Sequence, residues 1–313
     1  MSYLLKHNLL FILIISFFAR IFGILMFRDL EVDHEWGILL SNLELFGVLS
    51  VHTVQGEIVP NIFMPPLYPL FLYLIKIFFN NIDTFLWTVQ FTQLFLSLIT
   101  IFLTYRILLN FFSKNLSIIG TLVFALFPLN IYAVSQISSI TLQVFLLNVF
   151  LYSYFKLFKN INFKYTMVFS LASGLLMLLR GEYFIFVILS LFYLYFKKKQ
   201  FIKIITIALI SLIVVSPYLY RNYNIFGVIT ITKSSGYNLL KGNHPRTKVE
   251  GVGMFGKIEK VIPEVKQKLL ELKSKGPQEK YDLLQDQILM EQAIVFIKDE
   301  PLRYVTLYFK KFM

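Results

Sequence analysis

Long apolar runs separated by short polar breaks fill the first two thirds of the chain. They predict membrane spans at 8–27, 66–79, 84–106, 115–133, 138–156, 165–180, 183–197 and 202–219. The run at 66–79 has 14 residues where a crossing needs about 20. Pro65, Pro66 and Pro69 mark its entry, and Pro-Pro keeps a helix from starting early. We read it as a half-span or re-entrant helix. From about residue 221 the pattern changes. "RNYNIFGVITITKSSGYNLLKGNHPRTKVEGVG" is polar and Gly-rich, and 256–300 predicts amphipathic helices broken at Pro263 and at "KGPQ". The last residues, "PLRYVTLYFKKFM", look like the start of a further span that stops early. The expected fold is all-α, a polytopic transmembrane helical bundle. Its domains are a membrane module over 1–220, with an acidic outer loop at 28–64, and a mostly extracytoplasmic segment over 221–313.

Composition agrees with the pattern. Of 313 residues, 57% are hydrophobic and 15% charged, against about half and a quarter in a soluble domain. The chain has no cysteine, which excludes disulfides, thiolate nucleophiles and zinc-thiolate sites. Its net charge of +12 does not call for nucleic acid, because the Lys and Arg sit in short breaks between spans. "FARIFGILMFRDL" offers no small-residue cleavage site, so the first run reads as an uncleaved span rather than a signal peptide.

Charge also sets an expected orientation. The breaks "YRILLNFFSKN", "FKLFKNINFK" and "FKKKQFIK" are basic and should face the cytoplasm. "FPLNIYAVSQ", "RGEY" and everything after Tyr220 then face outward. Loop 28–64 carries Asp29, Glu31, Asp33, Glu35, Glu44 and Glu57 against Arg28, and belongs outside too. A full crossing by 66–79 would put the basic breaks on the wrong side; a half-span does not.

On that topology the polar groups gather at one face: the acidic loop, Arg180 with Glu182, and Arg221 with the segment to His244. Such a set suits a reaction on a lipid phosphate. A carboxylate takes a proton from an acceptor hydroxyl, and cations neutralise the leaving phosphate. Asp33 stands before the helical pattern "EWGILLSNLELF", a favoured N-cap place with or without chemistry. Asp29 and Glu31 are expected to be solvated. Arginine suits phosphate because it stays charged and donates a fork of hydrogen bonds, yet an Arg at a span end, or an Arg–Glu pair, serves structure equally well. Arg20 inside the first span costs a few kcal/mol unless paired or turned inward. It is expected either to brace the bundle or to approach a lipid head group. His7, His34, His52 and His244 lack ligand spacing, and no metal or other cofactor is expected. No phosphate-loop or dinucleotide fingerprint is present either.

Four segments carry a family likeness: "VDHEWGILLSNLELFG", "PNIFMPPLYPLFLYLI", "GLLMLLRGEYFIF" and "PYLYRNYNIFGVITITKSSGYNLLKGNHP". In this order they resemble bacterial glycosyltransferases of the GT-C fold, nearest the polyprenyl-phosphate-sugar-dependent group of protein O-mannosyltransferases and aminoarabinose transferases. The resemblance covers nearly the whole chain. It implies a multi-pass enzyme of the cytoplasmic membrane with its active site outward. Such an enzyme moves a sugar from a polyprenyl-phosphate donor to an extracytoplasmic lipid, glycan or protein acceptor, inverting the anomeric centre. Asp33 matches the place of the family's base, with Glu35 next to it. Arg221 and Asn222 match its Arg-Asn pair. Donor phosphate contacts are expected from Arg221, Arg180 and Lys241, and Glu182, Asn243 and His244 complete the candidate set. One departure is "SSITLQVF", with Gln143 where relatives often carry an acid; it argues against a second acid or a metal site there. Family members also continue with further spans. The competing expectations are a transporter, a flippase or polymerase of lipid-linked glycans, and a truncated, inactive member of the family.

Overall fold

The apolar runs form helices, and the polar breaks end them. The computed structural model describes residues 2–245, 247 and 262–311; the Gly-rich stretch at 248–261 lies outside them. The predicted spans become α1 (Ser2–Phe27), α3 (Leu67–Lys76), α4 (Ile82–Leu108), the pair α5 (Lys114–Ala125) and α6 (Pro128–Ser135), α7 (Ile140–Lys159), α8 (Phe163–Leu179), α9 (Tyr183–Lys198) and α10 (Phe201–Phe226). Four of these, within α1, α4, α7 and α10, are long and apolar enough to cross a membrane, and α5 with α6 makes a fifth candidate bent by 47°. α8 and α9 are shorter, with 17 and 16 residues. The remaining helices are α2 (His34–Phe46), α11 (Ser235–Asn243), α12 (Pro263–Ser274), α13 (Tyr281–Asp299) and α14 (Pro301–Lys310).

The bend between α5 and α6 has a definable cause. Pro128 opens α6 and cannot continue a helix arriving from α5. The carbonyls freed at the break find side-chain donors: Asn130 Nδ2 reaches Phe124 O at 3.2 Å, and Arg20 Nη1 reaches Ala125 O at 3.0 Å. Arg20 is wholly buried, and its Nε donates to Ser97 Oγ at 2.7 Å. Its place is therefore structural, a cation on the negative end of a half-helix inside the bundle. α3 has only 10 residues, about 15 Å of helix against about 30 Å of hydrocarbon.

The chain divides into two units, one of residues 1–41 and 65–218, the other of residues 42–64 and 219–313. In the first, side-chain bonds fix the run of the helices. The end of α1 meets the start of α4 and the α6–α7 junction: Asp29 Oδ2 accepts from Ile137 N at 2.6 Å, and Gln90 Nε2 donates to Asp29 O and Ser135 O, both at 3.1 Å. At the same end, Gln143 Nε2 on α7 donates to Tyr183 Oη on α9 at 2.9 Å. The far end joins the last residues of α7 and α9, where Lys198 Nζ reaches Lys159 O at 3.5 Å. α10 runs parallel to α8, with Ser170 Oγ on Ile207 O at 3.2 Å. The breaks at 105–115, 155–164 and 196–203 thus all fall at the far end from Asp29.

In the second unit, the later part of loop 28–64, from residue 42 on, proves more regular than the sequence suggests. After α2 it forms a hairpin of β1 (His52–Val54) and β2 (Glu57–Val59), with His52 opposite Val59. Gln55 and Gly56 turn it with φ of +51° and +89°, as a two-residue hairpin turn requires. Val54 and Val59 pack on Leu272 and Tyr281. Leu240, Ile262, Val265, Leu269, Leu289 and Ala293 form a further core that joins α11, α12 and α13. Gly236 permits the contact of α11 with α13, since a Cβ there would lie 2.0 Å from Asp286 O and 2.8 Å from Met290 N. Gly236→Ala must push the two helices apart. We expect it to cost about 3 kcal/mol, read as a fall in unfolding temperature in detergent; an unchanged temperature would deny the close approach.

Candidate functional site

At the Asp29 end of the first unit the acidic stretch is held from below. Asp29 is half-buried; its carboxylate takes Ile137 N and its own N–H bonds Ser135 O at 3.2 Å. It is thus not the solvated residue the sequence suggests. It is the anchor that ties the mouth of α1 to the α6–α7 junction. Four residues on, Asp33 stands directly before α2, exposed, with its carbonyl accepting from Gly37 N at 3.5 Å. Glu35, in the first turn, is exposed as well. Among the described residues neither carboxylate has a side-chain partner, and the His34 side chain lies outside them. Trp36 packs edge-on against Tyr68 at 4.9 Å, which fixes the first turn of α2 on α3.

The turn 180–182 is at the same end, attached through Tyr183 and Gln143. Arg180 Nη1 lies 3.8 Å from Glu182 Oε1, a loose and largely exposed pair worth little to stability. Its Nε, by contrast, is buried with no partner among the described residues. The same holds for Arg28 Nη1, Gln90 Oε1 and Ser138 Oγ. Arg28 also stacks over Trp87, its Cζ 4.2 Å from the ring centre. Unpaired buried polar atoms are rare, and these four belong to one end of the bundle. Arg28 and Ser138 are absent from the sequence-based candidates; only Arg28's place at the end of a span signalled it.

In the second unit, Arg221 Nη1 donates to Asn61 O at 2.8 Å and to Asn222 Oδ1 at 2.7 Å. Asn222 is fully buried, and its Nδ2 holds Thr230 O at 2.7 Å. This pair therefore locks two loops, whatever else Arg221 touches. Asn243 Nδ2 bonds Leu239 O at 2.8 Å inside its own helix. Lys241 is exposed, its ammonium 5.8 Å from the Tyr237 ring. His244 is buried, with its N–H on Thr247 Oγ1 at 3.2 Å.

The sequence reading missed Asp282. Only 3% exposed, it accepts from Ile62 N and Phe63 N at 3.0 and 3.2 Å, and lies 3.4 Å from His52 Nε2. Burial raises its pKa above the usual carboxylate value, while His52, the two backbone N–H groups and Arg221 pull the other way. One turn on, Asp286 Oδ1 takes Tyr237 N at 3.0 Å. Two acids spaced four apart on the buried face of a helix were the available signal. No group of three metal-ligating side chains occurs among the described residues.

Thus Arg180 joins Glu182, and Arg221 joins Asn222; Asp33 and Glu35 share the bundle end of Arg180. The profile of the dolichyl-phosphate-mannose-protein mannosyltransferase family matches residues 64–220, half of the chain. That segment contains Arg180 and Glu182, begins after the acidic stretch and stops one residue before Arg221. No curated protein and no solved structure matches.

Proposed function

The chain belongs to the dolichyl-phosphate-mannose-protein mannosyltransferase family, and on that premise we propose that Asp33 is the base of a sugar transfer at the outer membrane face. Membership makes the protein a multi-pass membrane glycosyltransferase that uses a lipid-phosphate sugar donor, and sets aside the transporter and flippase readings. In the proposed step, the Asp33 carboxylate takes the proton of an acceptor hydroxyl. The hydroxyl oxygen attacks the anomeric carbon as its bond to the lipid phosphate breaks. The phosphate leaves with an added negative charge, which arginine neutralises.

One observation carries this assignment. Asp29 is consumed in anchoring the acidic stretch, while Asp33 stays exposed at the bundle end that also bears Arg180 with its unpartnered buried Nε. The outward placement is supported by the three basic breaks, which fall at the opposite end, as a cytoplasmic face requires. On this reading the protein belongs to the cytoplasmic membrane and its acceptor is extracytoplasmic, a lipid, glycan or protein. Glu35 stands next in line as base, and Glu182 orients Arg180. Arg221 and Lys241 contribute charge toward the donor phosphate. Asn222 holds Arg221 in place, and Asn243 and His244 shape the turn beside Lys241.

Arg180 gives the direct test of donor recognition. Arg180→Ala is expected to weaken binding of a polyprenyl phosphate tenfold or more, about 1.4 kcal/mol, with an unchanged unfolding temperature. Arg221→Ala should weaken binding similarly but lower that temperature, because Asn61 O loses its donor. Unaltered affinity in either variant removes that arginine from the phosphate.

A further inference from the structure

We propose that α14 lies in the membrane interface and, through two basic side chains, holds the turn at Gly242–Pro245. The helix has two apolar sides with different surroundings. Tyr304 and Leu307 face inward, 6% and 9% exposed, whereas Leu302, Val305 and Phe309 are 82%, 54% and 61% exposed. The spacing of 302, 305 and 309 puts them on one stripe. Arg303, Thr306 and Lys310 border that stripe, and Lys311 follows. An exposed apolar stripe with a basic margin is the form of a helix that rests on an anionic bilayer surface, its apolar side at the boundary of head groups and acyl chains.

The surroundings point to lipid as the occupant. The same unit contains the last turns of α10, with Tyr220 and Tyr223 68% and 55% exposed, aromatics of the kind that mark the interface at a span end. α14 is also tied to a functional candidate. Lys311 Nζ donates to Gly242 O at 2.8 Å, and Arg303 Nη2 donates to Pro245 O. These bonds grip the turn that carries Asn243 and His244 from both sides. Seating the stripe in lipid fixes α14, and α14 then fixes the turn. The consequence for catalysis rests on the reading that this turn borders the sugar-transfer site; the docking itself does not.

The chain has no cysteine, so one introduced cysteine takes one nitroxide label. Leu302→Cys, Val305→Cys, Thr306→Cys and Lys310→Cys are labelled in turn on the full chain in vesicles of phosphatidylcholine with phosphatidylglycerol. Labels at 302 and 305 should collide with oxygen and be shielded from a water-soluble nickel chelate; labels at 306 and 310 should reverse this. Nickel reaching all four positions equally, or neither reagent reaching 302 and 305 because protein covers them, overturns the docking. The coupling is read by amide exchange in a Val305→Glu/Phe309→Glu variant. Exchange of the amides of residues 241–244 should rise tenfold or more, and an unchanged rate with the stripe out of the membrane overturns the hold on the turn. Neither readout uses transfer activity, so failure of the Asp33 assignment would leave both intact.

Discussion

Asp33→Asn is expected to abolish sugar transfer while leaving the protein folded. Removing a general base costs about 10²–10⁴-fold in rate, and the amide cannot take a proton. The exchange is otherwise nearly silent. Asn is as good as Asp before a helix, the side chain is exposed, and no described side chain bonds it. The anchor of the stretch is Asp29, four residues away, and is untouched. The measurement is transfer from a polyprenyl-phosphate sugar by the purified protein in nanodiscs, beside its unfolding temperature. Glu35→Gln supplies the contrast, expected to lose less than tenfold because its carboxylate belongs to the first turn of α2. If Asp33→Asn retained full transfer and Glu35→Gln lost it, the base would be Glu35. Loss in both with a lowered unfolding temperature would instead show that the stretch had lost its place.

Much of the membrane architecture was legible in the chain because lipid leaves the backbone few choices. Apolar length alone located α1, α4, α7 and α10, and Pro65 with Pro66 foretold that α3 would be short. The bend after α5 was less visible. Pro128 marks it, but a proline within an apolar run reads equally as a tolerated kink. Arg20 shows why the rest was hidden: its partners, Ser97 and the carbonyl of Ala125, lie far along the chain, and no local pattern names them. Asp29 is the reverse case. In sequence it is one acid among several; in the fold it is the one whose carboxylate meets a backbone N–H from residue 137. The hairpin at 52–59 did have a signature, a Gln-Gly turn between alternating residues, masked by its brevity. The acidic character of loop 28–64 pointed to Asp33, but could not tell which acids hold the loop and which remain available.

Asp282 supplies the other large expected effect, on stability. Its carboxylate is the acceptor for Ile62 N, which is fully buried, and for Phe63 N. Asp282→Ala leaves both donors unpaired, at about 1–3 kcal/mol each, so a loss of about 2–5 kcal/mol is expected. Asp282→Asn keeps one acceptor oxygen and should lose less than half as much. The pH dependence has a definite sign. Burial raises the folded pKa, so between the unfolded carboxylate value, about 3.9, and the folded one the native chain binds more protons than the unfolded chain. Stability from this group is therefore greatest in acid and falls as pH rises through that window. Asp282→Asn cannot titrate, so its stability relative to the parent should improve as pH rises across the same interval. Chemical unfolding in detergent at several pH values measures both effects. Equal losses in the Ala and Asn variants would mean that the two N–H groups do not depend on this side chain. A constant difference between parent and Asn variant at every pH would mean that its ionisation is not coupled to folding. The position matters beyond stability, because the peptide that Asp282 grips continues from Asn61, whose carbonyl holds Arg221. An acid missed in the sequence thus sets where a proposed phosphate-binding arginine can stand.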